Sequence, residues 1–244
     1  MTRESPFADI RALIGALPQP DDEAAVRAAG LFARMAKPAG SLGRIEEMAV
    51  WLSRWSGRVP PHVDRPLVAI FAGNHGVVRR SVSPRRPEAT AAAVEMCAAG
   101  GAAVNQLCLA ANLGLKVFDL ALDLPTQDIC QGPALDERAC VATIAFGMEA
   151  VVGGTDLVCI GDIGVGGTTA SAALCAALFG GRGRDWAGPG SGADAAMVER
   201  KAEAVDAALA LAGDAVGDPL EALRRLGGRE HAAIVGAILA ARAE

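Results

Sequence analysis

The chain has 244 residues, 52% of them hydrophobic, 21% charged and 4% aromatic, with a formal net charge of −5 and a pI near 5.3. That length and apolar content suffice for a large buried core, while the lack of a basic stripe and of any Tyr argues against nucleic acid as a partner. Cys97, Cys108, Cys130, Cys140, Cys159 and Cys175 sit in apolar surroundings with no CxxC pair or nearby His. They suggest neither a zinc knuckle nor a disulfide frame, but buried reduced thiols in a cytoplasmic protein. The opening MTRESPFADIRALIGALPQP mixes both charges with proline, so no signal peptide is expected, and no apolar run is expected to reach the length of a membrane span.

In chain order, residues 1–60 read as a small helical region. Apolar positions recur at helical spacing in PFADIRALIGAL (6–17), DDEAAVRAAGLFARMA (21–36) and SLGRIEEMAVWLSRW (41–55), divided by Pro18 and Pro20 and by the KPAG bend at 37–40. After Pro60 and Pro61 the texture changes. PLVAIFAG (66–73) is a short apolar run ended by Gly, as expected of a strand buried on both faces of a parallel sheet. One long alanine-rich helix is expected over about 88–112. LKVFDLAL (115–122) reads as a second strand, CVATIAF (140–146) as a third strand or part of a helix, and DLVCIG (156–161) as the clearest strand of the set. Helices are expected at 168–179, 194–212, 218–226 and 229–242. This alternation predicts an open α/β fold over 61–244, with a mainly parallel sheet, helices on both faces and ligands at the carboxyl ends of the strands.

The residues just after each strand are therefore informative. GNHGV (73–77), Asp119 and GDIGVGGTT (161–169) place small or polar residues at three strand ends, which could line one site; each alone is equally a tight turn. Gly161, Gly166, Gly167 and Thr168 nearly complete GxxxxGK[ST], but Gly167 stands where a lysine would meet the β- and γ-phosphates, which disfavours a triphosphate. GxGxxG fails as well, because Thr169 occupies the third glycine position. There remain close backbone approach at the glycines and a helix beginning at Thr168 and Thr169, whose positive end suits one phosphate or a carboxylate. A second cluster, WAGPGSGADAAMVERK (186–201), sets Gly188, Gly190 and Gly192 before another helix that carries Lys201. It is either a phosphate cradle with a cation or a surface loop with a solvated lysine.

Several segments fall in the order seen in nicotinate-nucleotide:dimethylbenzimidazole phosphoribosyltransferases. They are AKPAGSLGRIEEMA (36–49), FAGNHGV (71–77), SVSP (81–84) with Thr90, GGAAVNQL (100–107), FDLAL (118–122), GDIGVGGTT, GPGSGADAAMVERK (188–201) and DPLEALRRLGGREHAAIVGAILAA (218–241). The chain resembles that family over essentially its whole length. The resemblance implies a Rossmann-like fold and transfer of 5-phosphoribosyl from nicotinate mononucleotide to 5,6-dimethylbenzimidazole, giving α-ribazole 5′-phosphate and nicotinate, with no cofactor and no metal. It assigns Gly166, Gly167, Thr168, Thr169, Gly190, Gly192 and Lys201 to the nucleotide phosphate, and Asn74, His75, Ser83 and Ala93 to the base pocket. Asp162 stands where the family usually carries a glutamate and is the catalytic candidate.

Departures from the family pattern accompany these assignments. Asn74 replaces an aspartate, Ala93 a glutamine and Gly167 an asparagine. Family members continue into a DGF strand and an RLGEG segment whose glutamate serves as general base, a role worth about 100- to 10,000-fold. No such segment occurs here before Glu244. Two readings result: an enzyme in which Asp162 or a partner's carboxylate is the base, and a non-catalytic relative that binds nucleotide or benzimidazole and completes a full-length enzyme. A generic mononucleotide-binding domain is a third. The apolar face of AAIVGAILAA (232–241) is expected to be covered by another chain, in a homodimer or with a partner subunit.

Overall fold

The computed structural model describes residues 6–243; residues 1–5 of the expected helical region and Glu244 lie outside the described residues. Three helices open the chain, α1 (Phe7–Gly15), α2 (Asp22–Arg34) and α3 (Arg44–Ser56). Asp21 caps α2 by accepting from the Ala24 N–H at 2.7 Å, and α3 stops at Gly57, whose φ of 68° is left-handed. α1 buries Phe7 and Ile10 in the main core, whereas α2 and α3 pack largely on each other.

Strands β1 (Pro66–Ala72), β2 (Gly114–Asp119) and β3 (Leu157–Ile163) form one parallel sheet in the order β2-β1-β3. The expected open α/β fold is present, with helices flanking the sheet. β1 takes the centre because its side chains are apolar on both faces; Ala69, Phe71 and Ala72 are fully buried. Its register sets Phe71 between Phe118 and Asp162, and thereby fixes Asp162 at the carboxyl end of the sheet.

The remaining helices are α4 (Glu88–Ala98), α5 (Ala103–Ala111), α6 (Glu137–Val151), α7 (Gly167–Phe179), α8 (Gly183–Trp186), α9 (Ala195–Ala212), α10 (Pro219–Leu226) and α11 (Arg229–Ala243). The single helix expected over 88–112 is two helices. Gly100 adopts a left-handed φ of 77°, and Asn105 restarts the chain by accepting from the Ala102 N–H at 3.0 Å. Glu88–Ala111 counted as one stretch is long and apolar enough to cross a membrane by length and composition only, but it is divided between α4 and α5. CVATIAF resolves as helix, because Asp136 caps α6 from the Ala139 N–H at 2.7 Å and Cys140, Ile144, Gly147 and Val151 fall on one buried face. The thiols are not all buried: Cys97, Cys108 and Cys140 are, Cys130 and Cys175 are half-buried, and Cys159 is exposed on β3.

α6 and α11 pack closely through small residues, covering the sheet face that carries Leu67, Ala69 and Phe71. The apolar face of 232–241, expected to be covered by another chain, is instead buried within this one at Ala232, Ala233, Ala237 and Ala240. A Cβ on Gly147 would overlap the Ala233 carbonyl, and one on Gly236 would overlap the Ile144 carbonyl. Helix propensity favours alanine over glycine by about 1 kcal/mol, but here it would force the two backbones apart. Gly147→Ala and Gly236→Ala are therefore expected to lower stability by about 1–3 kcal/mol in urea unfolding; a gain in stability would show that this packing is looser than described.

Candidate active site

A cavity of about 370 Å³ opens at the carboxyl end of β3. Its floor is Asp162 to Gly166, one wall comes from Val82 to Arg85 and from Ala89, Thr90 and Ala93 at the start of α4, and the other from Thr168, the Pro189–Ser191 loop and Lys201. One end is thus largely apolar, while the other joins a helix N-terminus, a glycine loop and a cation. A larger groove of about 590 Å³ lies at the amino end of β3, where Trp51, Trp55, Arg58 and Arg242 line it. It carries the Gly154 turn and the cations Arg58, Arg65 and Arg242 but no helix start, whereas the smaller cavity joins a helix start to a glycine loop and a buried lysine.

Gly166 precedes α7 with a left-handed φ of 92°, and a Cβ there would stand 2.8 Å from Val78 Cγ2 and 3.0 Å from His75 Cβ. Only glycine fits this turn, which brings the N-terminus of α7 to the cavity, with the Gly167 and Thr169 amides donating to the Gly164 and Gly166 carbonyls. Lys201 is brought in by α9, itself capped by Asp194 from the Met197 N–H at 2.7 Å. Its Nζ donates to Thr168 Oγ1 and to the Gly188 carbonyl, both at 2.9 Å, which leaves one of three N–H donors for a ligand. Burial of this ammonium pushes its pKa below the ordinary lysine value.

The sequence-assigned residues divide into two groups. Asp162, Gly166, Thr168, Gly190, Lys201, Ser83 and Ala93 line the one cavity. Gly167, Thr169, Gly192, Asn74 and His75 do not line it; all but Gly192 are buried behind or beside it. Asn74 acts as a tie between loops: Thr90 Oγ1 donates to Asn74 Oδ1 at 2.7 Å, the Asn74 amide donates to the Leu122 carbonyl at 3.0 Å, and the Val165 N–H donates to Thr90 Oγ1 at 3.2 Å. The loops after all three strands are thereby joined.

His75 belongs to a cluster that sequence reasoning missed. Its Nε2 lies 2.5 Å from Oε1 of Glu230, a fully buried residue in the first turn of α11. His231 Nδ1 is 3.1 Å from the same oxygen, at ion-pair distance, and His231 Nε2 is 2.9 Å from Ser171 Oγ on α7. The two rings meet edge to face at 5.8 Å. Burial raises the Glu230 pKa, but His75 and His231 outweigh it and hold the carboxyl well below the usual carboxylate range. Burial likewise opposes a charged His231, yet the adjacent Glu230 carboxylate holds its pKa above the ordinary histidine value. The signal in the sequence is an acid and a histidine, REH, opening an otherwise alanine-rich apolar helix.

His, Glu and His are also metal-binding types, with ligand atoms within 4.8 Å of one another. Two ligands on one zinc ion at tetrahedral angles stand about 3.3 Å apart, given bonds near 2.0–2.1 Å. The 2.5 Å between His75 and Glu230 is therefore a hydrogen bond rather than a shared coordination edge.

A parallel sheet with a glycine-led helix start facing a buried lysine makes this an α/β protein with a cavity suited to an anion. A family model described as "Phosphoribosyltransferase" matches residues 17–244, and the chain belongs to that phosphoribosyltransferase family. The nicotinate-nucleotide–dimethylbenzimidazole phosphoribosyltransferases of Rhizobium johnstonii and Agrobacterium fabrum are each 59% identical over 239 residues, 98% of this chain and 70% and 69% of those proteins. The crystal structure of CobT from Thermus thermophilus matches with a TM-score of 0.81 at 36% identity, over 89% of this chain and 71% of that one.

Glu230→Gln leaves the shape but removes the buried charge opposite two imidazoles, and an unfolding loss of about 3–5 kcal/mol near neutral pH is expected. The lowered Glu230 pKa contributes stability above its unfolded value of about 4.5, lost as pH falls. The raised His231 pKa contributes stability below about 6.5, lost as pH rises through the folded value. Urea midpoints should thus peak between these limits and flatten in the variant; a variant with the wild-type profile would show that the pair does not contribute.

Proposed function

We propose that this chain binds nicotinate mononucleotide and carries the transfer of its 5-phosphoribosyl group to 5,6-dimethylbenzimidazole or a related base, releasing nicotinate. The observation that carries this reading is Lys201 Nζ bonded to Thr168 Oγ1 across the start of α7, opposite an apolar wall in one cavity. The phosphate sits on the α7 amides and Lys201, with the Gly190–Gly192 loop closing beside it, and Gly166, Gly167 and Thr169 set the turn. The flat bases lie against Ala89, Ala93, Pro84 and Val82, with Ser83 at the rim. Asn74 and His75 support this pocket from behind.

In the transfer, the bond from ribose C1′ to the nicotinate nitrogen breaks and its electron pair leaves with nicotinate. The benzimidazole nitrogen lone pair forms the new bond to C1′, and the proton on the other ring nitrogen passes to a base. Asp162 is the carboxylate that lines the cavity and takes that role in this reading. Its exposure favours the second reading, in which the chain binds without turnover and needs a carboxylate from elsewhere.

Residues 61–244 form the nucleotide-binding part, with 1–60 as a helical appendage, and the protein works in the cytoplasm as a homodimer or with a partner. Ile45, Met48 and Trp51, 54–62% exposed along α3, support association; light scattering should give a species larger than 24.8 kDa.

Incubation with nicotinate mononucleotide and dimethylbenzimidazole should release nicotinate. Asp162→Asn should cut turnover by about 100- to 10,000-fold with nucleotide affinity within a few-fold, whereas Lys201→Met should weaken the nucleotide itself. Calorimetric binding without nicotinate release favours the second reading, and no binding at all overturns both.

A further inference from the structure

Among the described residues, two cationic side chains line the cavity, Lys201 and Arg85, together with one acidic side chain, Asp162. The two cations differ in what already holds them. Lys201 Nζ donates to Thr168 Oγ1 and to the Gly188 carbonyl, which anchors its charge at the start of α7. Arg85 donates its backbone N–H to Ser83 Oγ at 3.2 Å, but its guanidinium has no hydrogen-bond or ion-pair partner among the described residues. The loop that carries it is nevertheless fixed. Val82 is fully buried in the main core, Arg200 Nε on α9 donates to the Ser81 carbonyl at 3.0 Å, and Thr90 in the first turn of α4 is tied to Asn74. Pro84 and Pro87 on either side restrict the backbone further. Arg85 therefore stands at a set place on the cavity wall, beside Pro84 and Ala89.

The nucleotide of the proposed reaction carries two anionic groups of different shape. Its 5′-phosphate is tetrahedral and suits the compact charge of a lysine at a helix start. Its pyridine carboxylate is planar and suits a guanidinium, which donates two parallel N–H bonds to such a group. A carboxylate laid against an apolar wall, in a cavity that already holds Asp162, needs a cationic partner of this kind.

We propose that Arg85 is a specificity-determining residue of this site: its guanidinium pairs with the carboxylate on the pyridine ring of the leaving base and so selects the acid, nicotinate, over the uncharged amide. The inference rests on the phosphate reading of the cavity, because Lys201 must hold the other end of the nucleotide. The same pair fixes the rotation of the pyridine ring against Ala89 and Ala93. An amide in that place keeps the shape, loses the charge and turns an NH2 donor toward the donors of the guanidinium. Discrimination thus comes from a lost attraction and an added mismatch at one side chain.

Calorimetric titration of the chain with nicotinate mononucleotide and with nicotinamide mononucleotide reads this selection directly and needs no turnover. Wild type should bind the acid about three- to tenfold tighter than the amide, as for a charge-assisted hydrogen bond at a partly exposed rim. In Arg85→Gln that ratio should fall to near one through weaker binding of the acid, with the amide almost unchanged. Its guanidinium holds nothing else in the chain, so the variant should keep the wild-type unfolding midpoint. Arg85→Lys, which keeps the charge without the planar fork, should restore only part of the ratio. Arg86→Gln, at an exposed arginine that does not line the cavity, should keep the wild-type ratio, and Lys201→Met should weaken both nucleotides alike. A wild-type ratio near one overturns the inference alone, as does an Arg85→Gln that weakens acid and amide equally, which would set Arg85 on the phosphate. If neither nucleotide binds the wild type, the phosphate reading falls and the inference with it.

Discussion

A carboxylate without exposed surface needs polar partners, and Glu230 meets two histidines that arrive on different elements. One is on the loop after β1; the other is next to Glu230 in α11 and reaches Ser171 in α7. Pairing Oε1 of this one group therefore joins the carboxyl end of the sheet, the α11 start and α7, while its buried Oε2 has no hydrogen-bond partner among the described residues. The chain makes room for it with glycine: a Cβ at Gly73 or Gly228 would overlap its carboxylate. Small residues here are a steric condition of burying an ion.

The cavity above is assembled from parts that the cluster and the Asn74–Thr90 tie hold still. β1 fixes the register that presents Asp162, Thr90 links Asn74 to the Val165 amide, and Gly166 turns the chain so that α7 points inward. Lys201 then needs only a capped α9 to reach Thr168. Rigid elements bear the polar groups, and the apolar wall comes from the start of α4, so a charged group and a flat ring can occupy opposite ends of one space.

The α/β architecture was legible because strands buried on both faces are short apolar runs that end in glycine, as in PLVAIFAG and DLVCIG. The division of 88–112 was less so, since alanine continues through it and only the Gly100–Gly101 pair marks the bend. CVATIAF fits a strand by composition; the deciding signal, Asp136 as a cap, lies outside it. At the site, the glycine-led start of α7 and Lys201 could be found by local pattern. The partner of His75 could not, because it is 155 residues away and periodicity carries no information on which distant side chain meets a loop histidine. Family resemblance places His75 and Asn74 with the base pocket, but their burial behind it depends on tertiary packing alone.

The central claim is that the start of α7 and Lys201 form the phosphate seat of a nucleotide site. A crystal structure of the chain with nicotinate mononucleotide tests it most directly. The 5′-phosphate is expected within hydrogen-bond distance of Lys201 Nζ and the first amides of α7, with the pyridine ring against Ala89 and Ala93. A nucleotide seated instead in the groove between Trp51, Trp55 and Arg242 would contradict it.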